Sequence, residues 1–243
     1  MLVKNDLFDY GLSIYQDSNL FKFSLDSILL SEFVNANKTG NNILDMCAGN
    51  MAIPLILSNY TYKKIIGFEI QKPIYELGVT SINLNNLNDK LTIINDDIKN
   101  IGNYFKPDYF DTLICNPPFF KINSDLSLIN TNPILSIARH EIKLTIEDIF
   151  LIAYKYLKPK GCLYLVHRAD RLDEIINLGF KYSLNVKKIN LITTKVNEKP
   201  YIVLIKAVKN SKSGVIIEPE LCIQNLKTYQ NIFKKGDNLN KKD

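Results

Sequence analysis

Cysteine and histidine are scarce in this chain, with four Cys and two His among 243 residues. Cys47, Cys115, Cys162 and Cys222 stand far apart, with no CxxC pair and no companion histidines, a spacing that argues against both a disulfide framework and a metal site. Three of the four follow apolar residues in strand-like runs and read as small buried hydrophobes. Long hydrophobic runs are missing as well. None approaches the ~20 residues that cross a bilayer. The N-terminus, MLVKNDLFDYG, carries acidic residues where a signal peptide needs an apolar stretch, so a cytoplasmic location is expected. There is no internal repeat and no sign of a second large domain. What is present, 46% hydrophobic residues at a mean hydropathy of −0.05, is the composition of a globular protein.

The formal net charge of +5 decides little, but its distribution is uneven. Between residues 155 and 212, thirteen Lys and Arg stand against four Asp and Glu, which leaves the remainder slightly acidic. A basic band on a nearly neutral body suits a polyanionic partner. It equally suits a solvated Lys-rich surface, and charge alone does not separate the two.

From residue 42 onward, short apolar runs alternate with helix-like segments. NILDMCA, KIIGFEI, LTIIND, FDTLICN, GCLYLVHR, LNVKKINLITT and YIVLIKAVK read as strands. The first four are continuous and rich in β-formers, as strands covered on both faces are. Helices are expected over 51–58, 73–86, 146–157 and 171–178. Thr145 with Asp148 three residues on is close to a capping box, and KPKG should close that helix. The succession implies an α/β, Rossmann-like fold whose seven-stranded, mostly parallel sheet is covered on both faces. The last two strands, joined only by TTKVNEKP, should form an antiparallel hairpin at one edge. Residues 1–40 form an N-terminal segment, 41–210 the main domain and 211–243 a basic tail. The N-terminal segment ends in FSLDSILLSEFV, where Ser24 is a plausible N-cap. The stretch 121–144 has no clear period, and loops of that length are usually functional or disordered.

In a doubly wound sheet, ligands bind beyond the carboxyl ends of the strands, where the strand order reverses. The first strand ends in DMCAGNMA, an acid and a small-residue turn leading into a helix, where Gly49 permits close backbone approach. The second ends in Glu69, two dozen residues after Asp45, a spacing that can place a carboxylate on ribose hydroxyls. The third ends in Asp96 and Asp97. The fourth ends in Asn116-Pro117-Pro118-Phe119, and two prolines cannot extend a buried strand. Each ending alone is weak; four in register are not.

On these residues, from about 10 to 220, the chain resembles the class I S-adenosyl-L-methionine-dependent methyltransferases. The Asn-Pro-Pro-aromatic quartet is similar to the motif of those that methylate a planar, conjugated NH2 group. FSLDSILL near the start, ARHE at 138–141 and LVHRADRL at 165–172 narrow the resemblance to the bacterial branch that makes N6-methyladenosine at nucleotide 37, beside the anticodon of valine tRNA. The resemblance implies that Asn116 and the Pro117 carbonyl accept from the target amine, that Pro118 fixes the turn, and that Phe119 stacks on an extruded base. By the same resemblance, Glu69 with Ile70 holds the donor's ribose, and Asp97 with Ile98 its adenine. Asp45, Cys47, Ala48 and Gly49 face its methionine part, while Ser24 and Asp26 close the pocket. Arg139, His140, Arg168 and Arg171 are expected on the tRNA side, since guanidinium forks suit phosphates. His140 and His167 are not needed as bases, because the methylated amine loses its proton readily to water.

One departure stands out. The third glycine of the family's turn is Met51 here, and its side chain must point away from the donor or crowd it; donor binding of modest affinity is expected. Three other functions compete: guanine-N2 methylation of ribosomal RNA, glutamine methylation of a protein, and RNA binding by a decayed methyltransferase site. Glutamine methyltransferases carry a helical domain before the donor site, where this chain has about 40 residues. Decay would rest on Met51.

Overall fold

A computed structural model describes residues 2–7, 10–17, 25–34, 39–61, 63–119 and 143–225. Ser24, Arg139, His140, most of the stretch 121–144 and the end of the basic tail lie outside the described residues.

The chain opens with an antiparallel ribbon, β1 (Leu2–Leu7) and β2 (Leu12–Asp17), followed by α1 (Leu25–Phe33). The alternation then runs β3 (Asn42–Asp45), α2 (Ala52–Ser58), β4 (Lys64–Phe68), α3 (Lys72–Leu84), β5 (Leu91–Ile94) and β6 (Phe110–Cys115). It continues through α4 (Ile146–Tyr156), β7 (Leu157–Arg168), α5 (Leu172–Lys181), β8 (Leu184–Thr193) and β9 (Ile202–Lys209). Two short strands, β10 (Ile216–Ile217) and β11 (Leu221–Cys222), come last.

In space the main sheet reads β5-β4-β3-β6-β7-β9-β8, with β10 and β11 paired to β8. All pairings are parallel except those of β9, which runs against both β7 and β8. The mostly parallel sheet and the edge hairpin match the expectation; the sheet has nine strands rather than seven, because the chain past Lys209 returns to pair with β8. The order reverses between β3 and β6, so the crevice above those two strands is the predicted ligand site.

Alternate side chains feed two cores, one on each face. Ile43, Ile114, Tyr164 and Val166 pack toward α1 and α2, while Leu44, Leu113, Leu163 and Leu165 pack toward α4 and α5. Each such side chain removed from water contributes about 1.5–3 kcal/mol. Helix α2 is buried on every side, which is why AIPLILS shows no polar face. The β1–β2 ribbon was not expected. It seats on α3 through polar bonds, Ser13 N–H to Asn85 Oδ1 and Tyr15 N–H to Ser81 Oγ, both 3.0 Å.

Thr145 and Asp148 do form a capping box on α4. The helix ends at Tyr156, just before KPKG as expected, and KPKG itself belongs to the strand that follows. Leu157 already turns extended and pairs with Phe110, and the next pair is Thr112 with Cys162, so residues 158–161 bulge out of the β6–β7 ladder. Lys158 leaves the bulge to meet Asp111 at 2.9 Å, and Asp111 also accepts the N–H groups of Asn41 and Asn42 at the entry to β3. Among the described residues, no helix is long and apolar enough to cross a membrane.

Candidate active site

A cavity of about 480 Å³ opens above the carboxyl ends of β3, β4, β5 and β6, within the ~300–1,000 Å³ usual for small-molecule sites. Its walls come from the loop after each of those strands, closed on one side by Asp26 and Ser27 of α1.

The floor is laced sideways by backbone bonds. Met46 N–H donates to Ile114 O and Ala48 N–H to Phe68 O, both at 2.9 Å, tying the first turn to its two neighbouring strands. Gly49 takes a left-handed φ of +55°, and nothing lies within 4 Å of where its Cβ would stand. Its conformation and the open cavity above it both call for glycine.

Met51 is also left-handed, at φ 71°, a strain of about 1–2 kcal/mol for a residue with a side chain. It is fully buried and absent from the cavity wall. Its side chain runs under the turn into space left by two glycines. A Cβ on Gly67 would fall 2.6 Å from Met51 Sδ, and one on Gly78 would fall 3.1 Å from its Cγ. The departure from the three-glycine turn is thus accommodated from below, and the donor side of the turn keeps its shape. The case for a decayed site loses its supporting residue.

Glu69 joins the first and second strand ends. Its Oε2 accepts Gly49 N–H at 3.1 Å and its Oε1 accepts Gln71 N–H at 2.8 Å. Burial raises its pKa to about 7, against the pull of those two bonds toward the ionised form. Carboxylate oxygens with lone pairs to spare on the cavity wall suit donors such as vicinal hydroxyls. Ile70 and Ile98 supply apolar surface beside them, as a flat base needs. Asp97 also lines the cavity, and its Oδ1 caps the 3₁₀ turn Ile98–Asn103 by accepting Lys99 N–H at 2.9 Å. Asp96 is committed to structure, bonded to Asp97 N–H, Asn100 Nδ2 and Tyr104 OH, and these bonds hold its pKa below the ordinary value.

Asn116, Pro117, Pro118 and Phe119 all line the cavity just past the end of β6. Asn116 Nδ2 donates to Ser27 Oγ at 2.9 Å. Phe119 rests against His167, with ring centroids 5.3 Å apart and planes tilted by 58°. His167 is fully buried and its Nδ1 accepts Arg168 N–H at 2.9 Å, so it backs the aromatic wall instead of meeting solvent.

Cys47, Ala48, Gly49, Glu69, Ile70, Asp97, Ile98 and Asp26 are gathered as the sequence suggested. Asp45 is not. It lies beneath the turn, fully buried and outside the wall, where burial raises its pKa to about 7 and its Oδ1 only just reaches Cys47 N–H at 3.4 Å. Arg168 and Arg171 stand at the carboxyl end of β7, but both are already engaged. Arg168 forks onto Asp170, and Arg171, with a side chain only 12% exposed, bonds Glu174 at 2.7 Å. Lys158, Lys181, Lys188, Lys195 and Lys209 of the basic band also meet carboxylates. Much of that charge is compensated locally. Ser27 was missed, because one serine on a helix gives no sign of what it will face.

The strand order, with one antiparallel strand inserted next to the edge, and the four loops around the cavity define the fold of the class I S-adenosyl-L-methionine-dependent methyltransferases. No protein-family model matches the chain. Among curated proteins, it is 25% identical over 206 residues to the tRNA1(Val) (adenine(37)-N6)-methyltransferase of Porphyromonas gingivalis, spanning 82% of this chain and 79% of that one. It is 24% identical to the enzyme of the same name from Phocaeicola vulgatus, spanning 85% and 84%. Among solved structures, a predicted O-methyltransferase from Agrobacterium tumefaciens superposes with a TM-score of 0.62 at 17% identity, covering 88% of this chain and 96% of that one. The tRNA m1G37 methyltransferase of M. jannaschii also reaches 0.62 at 19% identity, covering 87% and 55%.

Proposed function

We propose that this protein transfers a methyl group from S-adenosyl-L-methionine to the N6 amine of an adenine in tRNA, with adenine 37 beside the anticodon of valine tRNA as the target. The observation that carries the reading is the quartet 116–119 on the cavity rim, facing the loops that suit the donor. The curated relatives named above carry this activity in their names and match the chain over most of its length.

When bound, S-adenosyl-L-methionine supplies a methyl group already activated for displacement, so no metal or covalent nucleophile is required. The residues of this chain have two tasks. Glu69, Ile70, Asp97 and Ile98 hold the ribose and adenine ends of the donor, and the turn 47–49 makes room for its methionine end. The other task concerns the acceptor. An aromatic NH2 is flat and its lone pair is drawn into the ring, so it is a poor nucleophile. Asn116 Oδ1 and the Pro117 carbonyl each accept one N–H, which holds the amine and stabilises the positive charge that develops on it. Pro117 and Pro118 fix the direction of that carbonyl. Phe119, backed by His167, offers a face to a base taken out of its stack. Arg168 is half-exposed and meets phosphate with its charge partly compensated by Asp170, so its contribution to RNA affinity is small.

Incubation of the purified protein with labelled donor and total bacterial RNA, followed by separation of tRNA from ribosomal RNA, nucleoside mass spectrometry and mapping of the modified position, tests the reading. N6-methyladenosine at position 37 is expected. Label found in N2-methylguanosine of ribosomal RNA, or none in RNA, would overturn it.

A further inference from the structure

We infer that Asn50 is a further donor-binding residue, its carboxamide oxygen accepting from the α-ammonium of S-adenosyl-L-methionine, and that the N-terminal ribbon holds it in place. The inference rests on the donor reading above but not on which base is methylated. Asn50 stands between Gly49 and Met51 in the turn after β3, lines the cavity and is only 5% exposed. Its Nδ2 donates to the backbone carbonyl of Tyr15 in β2 at 3.0 Å. A main-chain carbonyl has no proton to give, so only the NH2 end of the carboxamide can face it, and the amide has a single orientation. Oδ1 is the end turned away from the ribbon. It has no hydrogen-bond partner among the described residues, yet it is not sealed from solvent as Asp45 Oδ2 is. The opening it meets is the cavity that Asn50 lines.

The ribbon end of this bond is itself held. Tyr15 N–H donates to Ser81 Oγ, and Ser13 exchanges two bonds with Asn85, its N–H to Oδ1 at 3.0 Å and Nδ2 to its carbonyl at 2.7 Å. β2 thus hangs from α3 and reaches across to the donor turn through Tyr15, a stiff support for a side chain that must meet a ligand. The order of the sheet decides which part of the donor Asn50 meets. Along the carboxyl edge the tips carry Asp97 after β5, Glu69 after β4 and Asn50 after β3. With the adenine at Asp97 and the ribose at Glu69, the amino-acid part falls over the turn after β3. That part bears an ammonium and a carboxylate. An amide oxygen, which has no proton, pairs only with the ammonium, in a hydrogen bond strengthened by the charge. The N-terminal ribbon therefore belongs to the donor site, although none of its own side chains lines the cavity.

Calorimetric titration of the full chain with three ligands tests the inference. They are S-adenosyl-L-methionine, its decarboxylated form, which keeps the amine, and 5′-methylthioadenosine, which lacks the whole amino-acid part. Asn50→Ala should raise Kd about tenfold for the first two and leave the third within about twofold. Asn50→Asp loses the bond to Tyr15 just as Asn50→Ala does but keeps an acceptor, so it should hold most of the parent's preference for the amine-bearing ligands. Equal weakening of all three ligands in Asn50→Ala would overturn the proposal, because the residue would then only support the turn. So would no weakening at all, or weakening toward S-adenosyl-L-methionine but not its decarboxylated form, which would assign the contact to the carboxylate. Should Asn50→Ala not fold, Asn50→Asp decides: a preference kept supports the acceptor role, and a preference lost overturns it. If the parent binds none of the three, the donor reading has failed and this inference falls with it. If the parent binds the donor but methylates no RNA, only the target reading has failed, and the ratios of Kd still decide the role of Asn50.

Discussion

Replacing Met51 sets two effects of opposite sign against each other. Met51→Gly removes a side chain from a left-handed residue at φ 71°, a relief of about 1–2 kcal/mol. Part of that is returned, because glycine has more freedom to lose on folding, about 0.5–1 kcal/mol. The same change empties the space that the thioether fills between Gly67 and Gly78, and Met51 is fully buried. Truncating a buried methionine even to alanine costs about 2–5 kcal/mol. Packing outweighs strain, and the variant should be less stable by about 2–4 kcal/mol, a fall in Tm of roughly 5–12 °C for a domain of this size. Because Met51 stands behind the turn and not in the wall, donor Kd should change far less than stability. Thermal melts of parent and variant, with calorimetric titration of the donor, make the comparison. A Met51→Gly protein as stable as its parent would refute the claim that the methionine fills a space the two glycines vacate. Gly67→Ala gives an independent measure: its Cβ would fall 2.5 Å from Ala48 Cβ and 2.6 Å from Met51 Sδ, overpacking worth about 1–3 kcal/mol. In the Met51→Ala background that penalty should shrink, since one of the two clashes has gone.

Asn116→Ala should reduce kcat by about 10²–10³-fold or more, as loss of an aimed polar group does, while donor affinity measured by calorimetry holds. The donor should bind more tightly as pH rises from 6 to 8. Glu69 has a pKa of about 7 in the free protein, ribose hydroxyls favour its ionised form, and binding below pH 7 must release a proton, which weakens affinity by up to about tenfold per pH unit. Stability of the free protein should run the opposite way. Asp45 and Glu69 are raised to about 7 from ordinary values of 3.8 and 4.5, so the folded chain holds more protons than the unfolded chain across that interval. Their contribution is present at the acid end and lost as pH rises through 7, which urea titrations at pH 6 and 8 will register. Asp111→Ala should cost about 2 kcal/mol, since it strips two backbone N–H groups of their acceptor. Lys158→Ala should cost under about 1 kcal/mol, because that ion pair is partly exposed and screened; equal losses in the two melts would contradict this ranking.

The sequence made the doubly wound sheet legible because parallel strands buried on both faces have an unmistakable composition, as in NILD and FDTLIC. The quartet 116–119 was legible for another reason: prolines end a strand by covalent geometry, whatever surrounds them. The β1–β2 ribbon escaped because LVKNDL and LSIYQD mix polar residues into their alternation, and because β2 is seated by its backbone N–H groups on Asn85 and Ser81, partners distant in sequence. Strands of two residues, such as β10 and β11, have no period to detect. Asp45 was misplaced because a terminal acid of a strand can face up into the crevice or down into the core, and its sequence neighbours are the same in both cases. The basic band looked free because Asp108, Asp111 and Glu147, which neutralise three of its lysines, come from earlier parts of the chain.

The turn after β3 is tied to β6 on one side and to the tip of β4 on the other, segments remote in the chain, by two backbone bonds and one shared carboxylate. Such a floor is a single bonded plate, so a change that breaks one of the shared bonds is passed to the neighbouring segments. The rim is built otherwise, from a short helix and the quartet 116–119. A lineage could therefore remodel what it recognises while the plate stays rigid, and new acceptors would arise at the rim before the donor end changed.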